Sequence, residues 1–207
     1  MTGRRALVAL ACAAIAGIVA GVAIAALHRP RTTRAALPAF HGQASWRSGE
    51  RPAPQFTLRD QNGMRVSLRS LRGRPVLLTF LDSRCTSECP IAGRELGSIL
   101  RRLPADRRPA LVVVSVDPRG DTPAGIRHAL AKWKLDGPWA VHWLDAPTHA
   151  ALAQVWKSYD VVVQPTTNDI VHSLALYLID RNGDERTGYL FPFLQSFVEH
   201  DILRLSA

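Results

Sequence analysis

The sequence predicts one α/β domain over residues 52–207, preceded by a flexible tether and a single apolar span. Two observations predict this class. Apolar runs typical of buried strands alternate with segments whose apolar residues have helical spacing. Residues that favour tight turns occur near the beginning and near the end of this series of strands and helices. The composition agrees, because 47% of the 207 residues are hydrophobic and 21% are charged, as in globular proteins rather than disordered ones.

The strands are predicted from hydrophobicity and turn residues. Residues 56–58 and 66–68 alternate in hydrophobicity on either side of Asn62-Gly63, which predicts a hairpin. Residues 75–80 and 111–116 are continuously apolar, as expected for buried parallel strands. Another strand is expected at 174–179, and the turn residues 180–183 (DRNG) connect it to a partner near 186–189.

Four helices are predicted, at about 86–103, 122–133, 147–159 and 193–205. The second has Thr122 in the capping position and Pro123 at its first helical position. Alternation of these helices with the strands implies right-handed crossovers around a central sheet, closed by a hairpin.

The amino terminus carries a membrane signal. Residues 6–27 form an uncharged apolar run, and at 1.5 Å per residue a helix of this length, about 33 Å, crosses a bilayer core. We therefore expect residues 1–27 to be an uncleaved anchor and residues 28–51, rich in Arg, Pro, Ala and Gly, to be a tether. Cleavage of a signal peptide stays open, because Ala23-Ile24-Ala25 has the small-x-small pattern.

The charge distribution argues against nucleic-acid binding. The formal net charge is +9, but five basic residues and no acid lie in the first 37 positions, where they suit lipid headgroups. The remaining 170 residues carry only +4, which weakens the case for a phosphate-backbone interface. These five residues are Arg4, Arg5, Arg29, Arg31 and Arg34.

Two cysteines are candidates for the chemistry, while the third, Cys12, lies in the apolar span. Cys85 and Cys89 follow a predicted strand and open a predicted helix. Residues four apart lie on one helical face, so both sulfurs can meet one metal ion or each other. The helix amino terminus and Arg84 favour the thiolate. The pair indicates redox or metal chemistry, with a structural disulfide or buried apolar cysteines as alternatives.

A third ligand would complete a soft-metal site, and His172 is the candidate among seven histidines. It stands directly before the predicted strand at 174–179. If that strand is central in the sheet, the preceding loop could approach the Cys85–Cys89 turn. A hydrogen-bonded structural histidine is the alternative.

Taken together, several motifs resemble the Sco/SenC family of copper-binding, thioredoxin-like proteins. The residues are Phe56-Thr-Leu with Asn62-Gly63, CTSECP at 85–90, VSVDPRGDTP at 114–123, VHS at 171–173 and YLID-x-x-G at 177–183. The resemblance covers about residues 52–205. It implies a thioredoxin-like, three-layer fold with an added N-terminal hairpin.

The resemblance also implies a function. Copper, as Cu(I) or Cu(II), would be held by Cys85, Cys89 and His172 and delivered to cytochrome c oxidase or another cuproprotein. The protein would be a single-pass protein of a bacterial inner membrane with its folded domain in the periplasm. The main alternative is a thiol–disulfide oxidoreductase in which Cys85 attacks and Cys89 resolves. A peroxide-reducing enzyme and a purely structural module are further alternatives.

Two aspartates and one departure from the family pattern flank the candidate site. Asp117 and Asp121 match family positions beside the metal, where they could support the ligands or face a partner; a turn and a helix cap are the alternatives. The family usually has an aromatic-Thr stretch before the first cysteine and Pro after it. Here residues 81–84 are LDSR and Thr86 follows, so metal affinity, redox potential or client could differ.

Overall fold

A computed structural model describes residues 40–146, 148–167 and 169–206. The strands in these ranges are β1 (Ala44–Ser45), β2 (Thr57–Arg59), β3 (Arg65–Ser67), β4 (Val76–Leu81), β5 (Ala110–Ser115), β6 (Val141–Leu144), β7 (Val163–Pro165), β8 (Ile170–His172), β9 (Ala175–Ile179) and β10 (Glu185–Leu190). The α-helices are α1 (Glu88–Arg102), α2 (Pro123–Lys132), α3 (His149–Ser158) and α4 (Gln195–Leu205). Short 3-10 turns lie at Leu68–Leu71 and Ala105–Arg107.

A six-stranded sheet forms the centre, in the order β1-β10-β9-β4-β5-β6. Strands β4, β5 and β6 are parallel, as the predicted crossovers require. Strand β9 lies next to β4 but runs antiparallel to it, with Thr79 opposite Leu176 and Val76 opposite Ile179. The start of β9 therefore lies beside the carboxyl end of β4, which decides what the segment before β9 can reach.

Two apolar cores cover the two faces of the sheet and make the predicted three layers. Neighbouring residues of β4 point to opposite faces, as the pleat requires: Leu77 packs in one core and Leu78 in the other. Helices α1, α2 and α4 contribute to the Leu77 core, whereas α3 and the β2–β3 hairpin contribute to the Leu78 core. Strands β4 and β5 are buried at every position, which explains their continuously apolar sequence.

Both predicted hairpins are confirmed, and both use an aspartate to form the turn. In the first, the Asp60 Oδ1 accepts from the Asn62 N–H at 2.9 Å, and Gly63 has φ +79°. In the second, the Asp180 Oδ1 accepts from the Asn182 N–H at 2.9 Å, and Gly183 has φ +90°. The positive φ favours glycine at these two positions, since a Cβ is strained there.

The four predicted helices are confirmed, with ends that differ by a few residues. The prediction is most complete for α2, where the Thr122 Oγ1 accepts from the Gly125 N–H at 3.1 Å and Pro123 is the first helical residue.

Part of the predicted tether at 28–51 packs on the domain. Strand β1 pairs with the edge strand β10, with Ala44 opposite Gly188, and Arg51 forms a 2.6 Å ion pair with the buried Glu185. A two-residue strand that completes a sheet edge has no detectable periodicity, so sequence patterning could not find it. Residues 1–39, including the predicted span at 6–27, lie outside the described residues. Among the residues described, none forms a helix long and apolar enough to cross a membrane.

Candidate metal and redox site

The turn between β4 and α1 places both cysteines at the carboxyl end of the central strand. The Asp82 carbonyl accepts from the Cys85 N–H at 3.3 Å, and α1 begins only at Glu88. The expectation that both cysteines lie on one helical face is therefore wrong: Cys89 lies in the first turn of α1, and Cys85 precedes the helix. The tight turn, not helical periodicity, brings the two side chains together.

His172 reaches this turn on a small hairpin that the sequence analysis missed. Strand β8 pairs with β7, with His172 opposite Val163, directly before the antiparallel strand β9. The Cys89 Sγ and His172 Nε2 lie 3.4 Å apart although 83 positions separate the residues. The apolar residues 161–163 and 170–171, separated by residue types that are common in turns (PTTND at 165–169), were the sequence signal that could have revealed the hairpin.

The His172 imidazole is oriented for ligation. Its Nδ1 lies 3.3 Å from the Ser173 carbonyl oxygen, which makes Nδ1 the protonated nitrogen and leaves the Nε2 lone pair facing the Cys89 sulfur. Burial lowers the pKa of His172, so the ring is neutral at neutral pH. The neutral ring with a free Nε2 is the form that binds metal ions.

The two thiols differ strongly in acidity. Interaction with the Cys89 thiol lowers the pKa of Cys85 to about 5, and the Ser87 hydroxyl, 3.5 Å from the Cys85 sulfur, acts in the same direction. The Cys85 sulfur and burial together raise the pKa of Cys89, which is only 1% exposed. At neutral pH the site therefore holds a half-buried thiolate beside a buried thiol.

Asp117 and Asp121 hold the loop that leads to Cys85. The Asp117 Oδ2 accepts from the Arg84 Nε at 2.9 Å. The Asp121 carboxylate accepts from the Ser83 N–H and from the Trp143 Nε1–H, both at 2.9 Å. Thr122, not Asp121, caps helix α2, so the cap alternative for Asp121 does not apply.

The turn alternative for Asp117 is observed, because its Oδ1 accepts from the Gly120 N–H at 3.0 Å. The same carboxyl group thus shapes its own turn and contacts the residue before Cys85 through the other oxygen. Both aspartates therefore position the cysteine loop from the side of residues 83 and 84.

An open pocket of about 670 Å³ connects the three candidate ligands. Its lining includes Cys85, Cys89 and His172 together with the apolar side chains of Leu174 and Phe191. Both cysteines are free thiols. Cys89 is buried and Cys85 is half-buried, and of the three candidate ligands the Cys89 Sγ and the His172 Nε2 lie 3.4 Å apart. Two sulfurs and one imidazole suit a soft metal ion, but their assignment as ligands stays a prediction.

The acidity of Cys85 predicts an unusual alkylation profile. Because the folded-state pKa is about 5, the thiolate fraction and the iodoacetamide rate at Cys85 should level off above about pH 6. Cys89→Ala removes the main cause of the shift, the hydrogen bond from the Cys89 thiol, and should move the midpoint upward by more than one pH unit. Peptide mass spectrometry separates Cys85 from Cys89 and Cys12. A Cys85 midpoint above pH 8 in the parent protein would contradict the described environment.

Comparison with known proteins agrees with this architecture. A family model described as SCO1/SenC matches residues 45–202. A SCO1 protein homolog from Bacillus subtilis (strain 168) is 28% identical over 149 residues, which are 65% of this chain and 75% of that protein. The structure of Bradyrhizobium japonicum ScoI with copper bound is 30% identical in sequence and has a TM-score of 0.64. The match covers 74% of this chain and 99% of that one. The mixed α/β, thioredoxin-like fold is thereby confirmed.

A shorter similarity connects part of the chain to peroxiredoxins. Chloroplastic peroxiredoxin Q from Oryza sativa subsp. japonica is 41% identical over 71 residues, which are 32% of this chain and 33% of that protein. The match covers about a third of either chain.

Proposed function

This chain belongs to the SCO1/SenC family, and from that premise we propose that it is a copper chaperone binding one copper ion through Cys85, Cys89 and His172. The copper is cargo, and the proposed recipient is the copper centre of cytochrome c oxidase or another cuproprotein. Copper bound to the related Bradyrhizobium japonicum ScoI supports the choice of metal.

One observation carries the ligand assignment: the 3.4 Å contact between the Cys89 Sγ and the His172 Nε2. Folding brings together a sulfur and an unprotonated imidazole nitrogen from distant parts of the chain, in a pocket that also contains Cys85. Thiolates select Cu(I), and an imidazole suits copper in either oxidation state, so the donor set fits this cargo better than a hard cation such as Mg²⁺.

The ionisation of the two thiols suits uptake and release. Cys85 is already a thiolate, so copper binding displaces essentially one proton, that of Cys89. Cys85 is the more exposed of the two sulfurs, and ligands of the recipient would approach from its side. Transfer would proceed by exchange of ligands, with Cys85 as the first to leave.

The proposal includes a membrane location. The apolar run at 6–27 would anchor the protein in a bacterial inner membrane, and the folded domain would lie in the periplasm. The chain between the span and β1 would hold the domain close to a membrane-embedded recipient.

A thiol–disulfide oxidoreductase is the second candidate, and the contrast in thiol acidity favours it. The Cys85 thiolate would attack a client disulfide, forming a mixed disulfide and releasing one client thiolate. Cys89 would then lose its proton, attack the Cys85 sulfur and release the second client thiolate. The products are a Cys85–Cys89 disulfide and a reduced client. The His172 Nε2, 3.4 Å from the Cys89 sulfur, is placed to accept the Cys89 proton.

A copper titration tests the proposal against this rival. The reduced full-length chain in detergent is titrated with Cu(I) against a chromophoric Cu(I) chelator. We expect one equivalent to bind. The double variant Cys85→Ser/Cys89→Ser, which retains Cys12, should lose that equivalent and serves as the background. Absence of copper uptake by the parent, together with rapid reduction of a protein disulfide, would favour the oxidoreductase instead.

A further inference from the structure

His41, His200 and Asp201 form a second cluster of metal-ligating side chains, and none of them lines the cysteine pocket. We propose that this cluster is a site for a divalent ion of intermediate softness such as Zn²⁺. The proposal does not depend on the copper function, because it concerns other residues and another class of ion.

The three donor atoms are already close together. They lie within 4.8 Å of one another, and no other such group of three is found among the residues that the structure describes. Both imidazoles turn their Nδ1 toward the same carboxylate oxygen: the Asp201 Oδ1 lies 2.7 Å from the His41 Nδ1 and 3.2 Å from the His200 Nδ1. Two nitrogens thus converge on one oxygen from residues 160 positions apart.

The Asp201 carboxylate is held in place by its other oxygen. Its side chain is fully buried, and the Oδ2 accepts from the Tyr189 hydroxyl and, at 2.7 Å, from the His41 backbone N–H. These donors fix the orientation of the carboxylate and leave the Oδ1 for the two imidazoles. Hydrogen bonds of this kind to the non-ligating atom are typical of oriented metal ligands.

The imidazole side of the cluster is open to solvent. The His41 and His200 side chains are 34% and 57% exposed, so an ion can enter between them without rearrangement of the core. Stacking on Phe197, with ring centroids 4.4 Å apart, holds the His41 ring over helix α4. The site therefore combines a fixed, buried anion with two accessible nitrogens.

The donor set matches the chemistry of zinc. Two imidazoles and one carboxylate are common Zn²⁺ ligands, and bonds of about 2.0–2.2 Å in a tetrahedral site place neighbouring donors about 3.4 Å apart. The His200–Asp201 separation of 3.2 Å is near that value, and the 2.7 Å His41–Asp201 contact needs to open only slightly. On binding, Zn²⁺ would take the place of the hydrogen that each Nδ1 directs at the Asp201 Oδ1; through solvent, that proton would pass to Nε2, and water would complete the coordination.

An ion at this site would fasten the start of the domain to its last helix. His41 comes just after the undescribed residues 1–39, and His200 and Asp201 lie in α4. Because a ligand that binds the folded state alone stabilises it, Zn²⁺ should raise the melting temperature.

The test uses the full-length chain in detergent with all three cysteines replaced, Cys12→Ser, Cys85→Ser and Cys89→Ser, so that no thiol binds zinc. Calorimetric titration with Zn²⁺ should give one equivalent, and Zn²⁺ should raise the melting temperature. His200→Ala in this background should weaken binding at least tenfold and remove the shift. His128→Ala, an exposed histidine of α2, is the matched control and should change neither.

The result that overturns the proposal is equally direct. Absence of saturable Zn²⁺ binding in the cysteine-free chain would show that the cluster is only a hydrogen-bonded contact. Equal affinity in the His200→Ala variant would place any zinc elsewhere, as would equal weakening by His128→Ala. His41→Ala is a second variant that keeps α4 intact, and it should reproduce the loss.

Discussion

Substituting His172→Ala is expected to weaken Cu(I) binding by about a hundredfold, or about 2.7 kcal/mol. The structure gives the reason: the Nε2 is the nitrogen donor that lies 3.4 Å from the Cys89 sulfur, and alanine removes it without touching either sulfur. Competition with a Cu(I) chelator measures the loss. Disulfide formation between Cys85 and Cys89 should remain, because it needs no imidazole.

His128→Ala is the control for this substitution, since His128 is an exposed histidine on helix α2 and does not line the cysteine pocket. Its copper affinity should equal that of the parent. If His172→Ala also bound copper as tightly as the parent, His172 would not be a ligand. His172 would then be a structural histidine held by the Ser173 carbonyl.

Substituting Asp121→Ala should lower the free energy of unfolding by about 2–4 kcal/mol. The carboxylate accepts from the Ser83 N–H and the buried Trp143 indole N–H, and alanine leaves both donors without this partner. Burial raises the pKa of Asp121, because the charged carboxylate is costly in this environment. The expected loss of stability is therefore smaller than the full free energy of two hydrogen bonds to a carboxylate. Urea unfolding followed by tryptophan fluorescence measures the change.

Two further variants make the Asp121 prediction specific. Asp121→Asn keeps one acceptor oxygen and should lose about half as much stability. Asp136→Ala, at an exposed aspartate, should stay within about 0.5 kcal/mol of the parent. A loss equally small for Asp121→Ala would mean that the loop before Cys85 does not depend on this carboxylate.

Local patterns predicted the elements of the fold well, because their causes lie within a few residues. The apolar runs that became β4 and β5 are buried on both faces, and their sequence records that burial directly. The turns at Gly63 and Gly183 require a positive φ, which glycine adopts readily. Thr122 and Pro123 likewise marked the start of α2.

Contacts between distant segments could not be predicted in the same way. The approach of His172 to Cys89 depends on the antiparallel direction of β9 beside β4 and on the β7–β8 hairpin, and neither has a local signature as strong as a buried strand. The shared helical face expected for Cys85 and Cys89 does not form, because α1 begins only at Glu88. The contact between His41 and Asp201 spans 160 positions and involves a segment without periodicity.

The central claim is that two sulfurs and one imidazole nitrogen hold the same copper ion. X-ray absorption at the copper edge, on the full-length chain loaded with one equivalent of Cu(I), tests it most directly. We expect two sulfur neighbours and one nitrogen neighbour, with the nitrogen missing in His172→Ala. A copper ion with sulfur neighbours alone in the parent, or with an unchanged nitrogen neighbour in the variant, would contradict the claim.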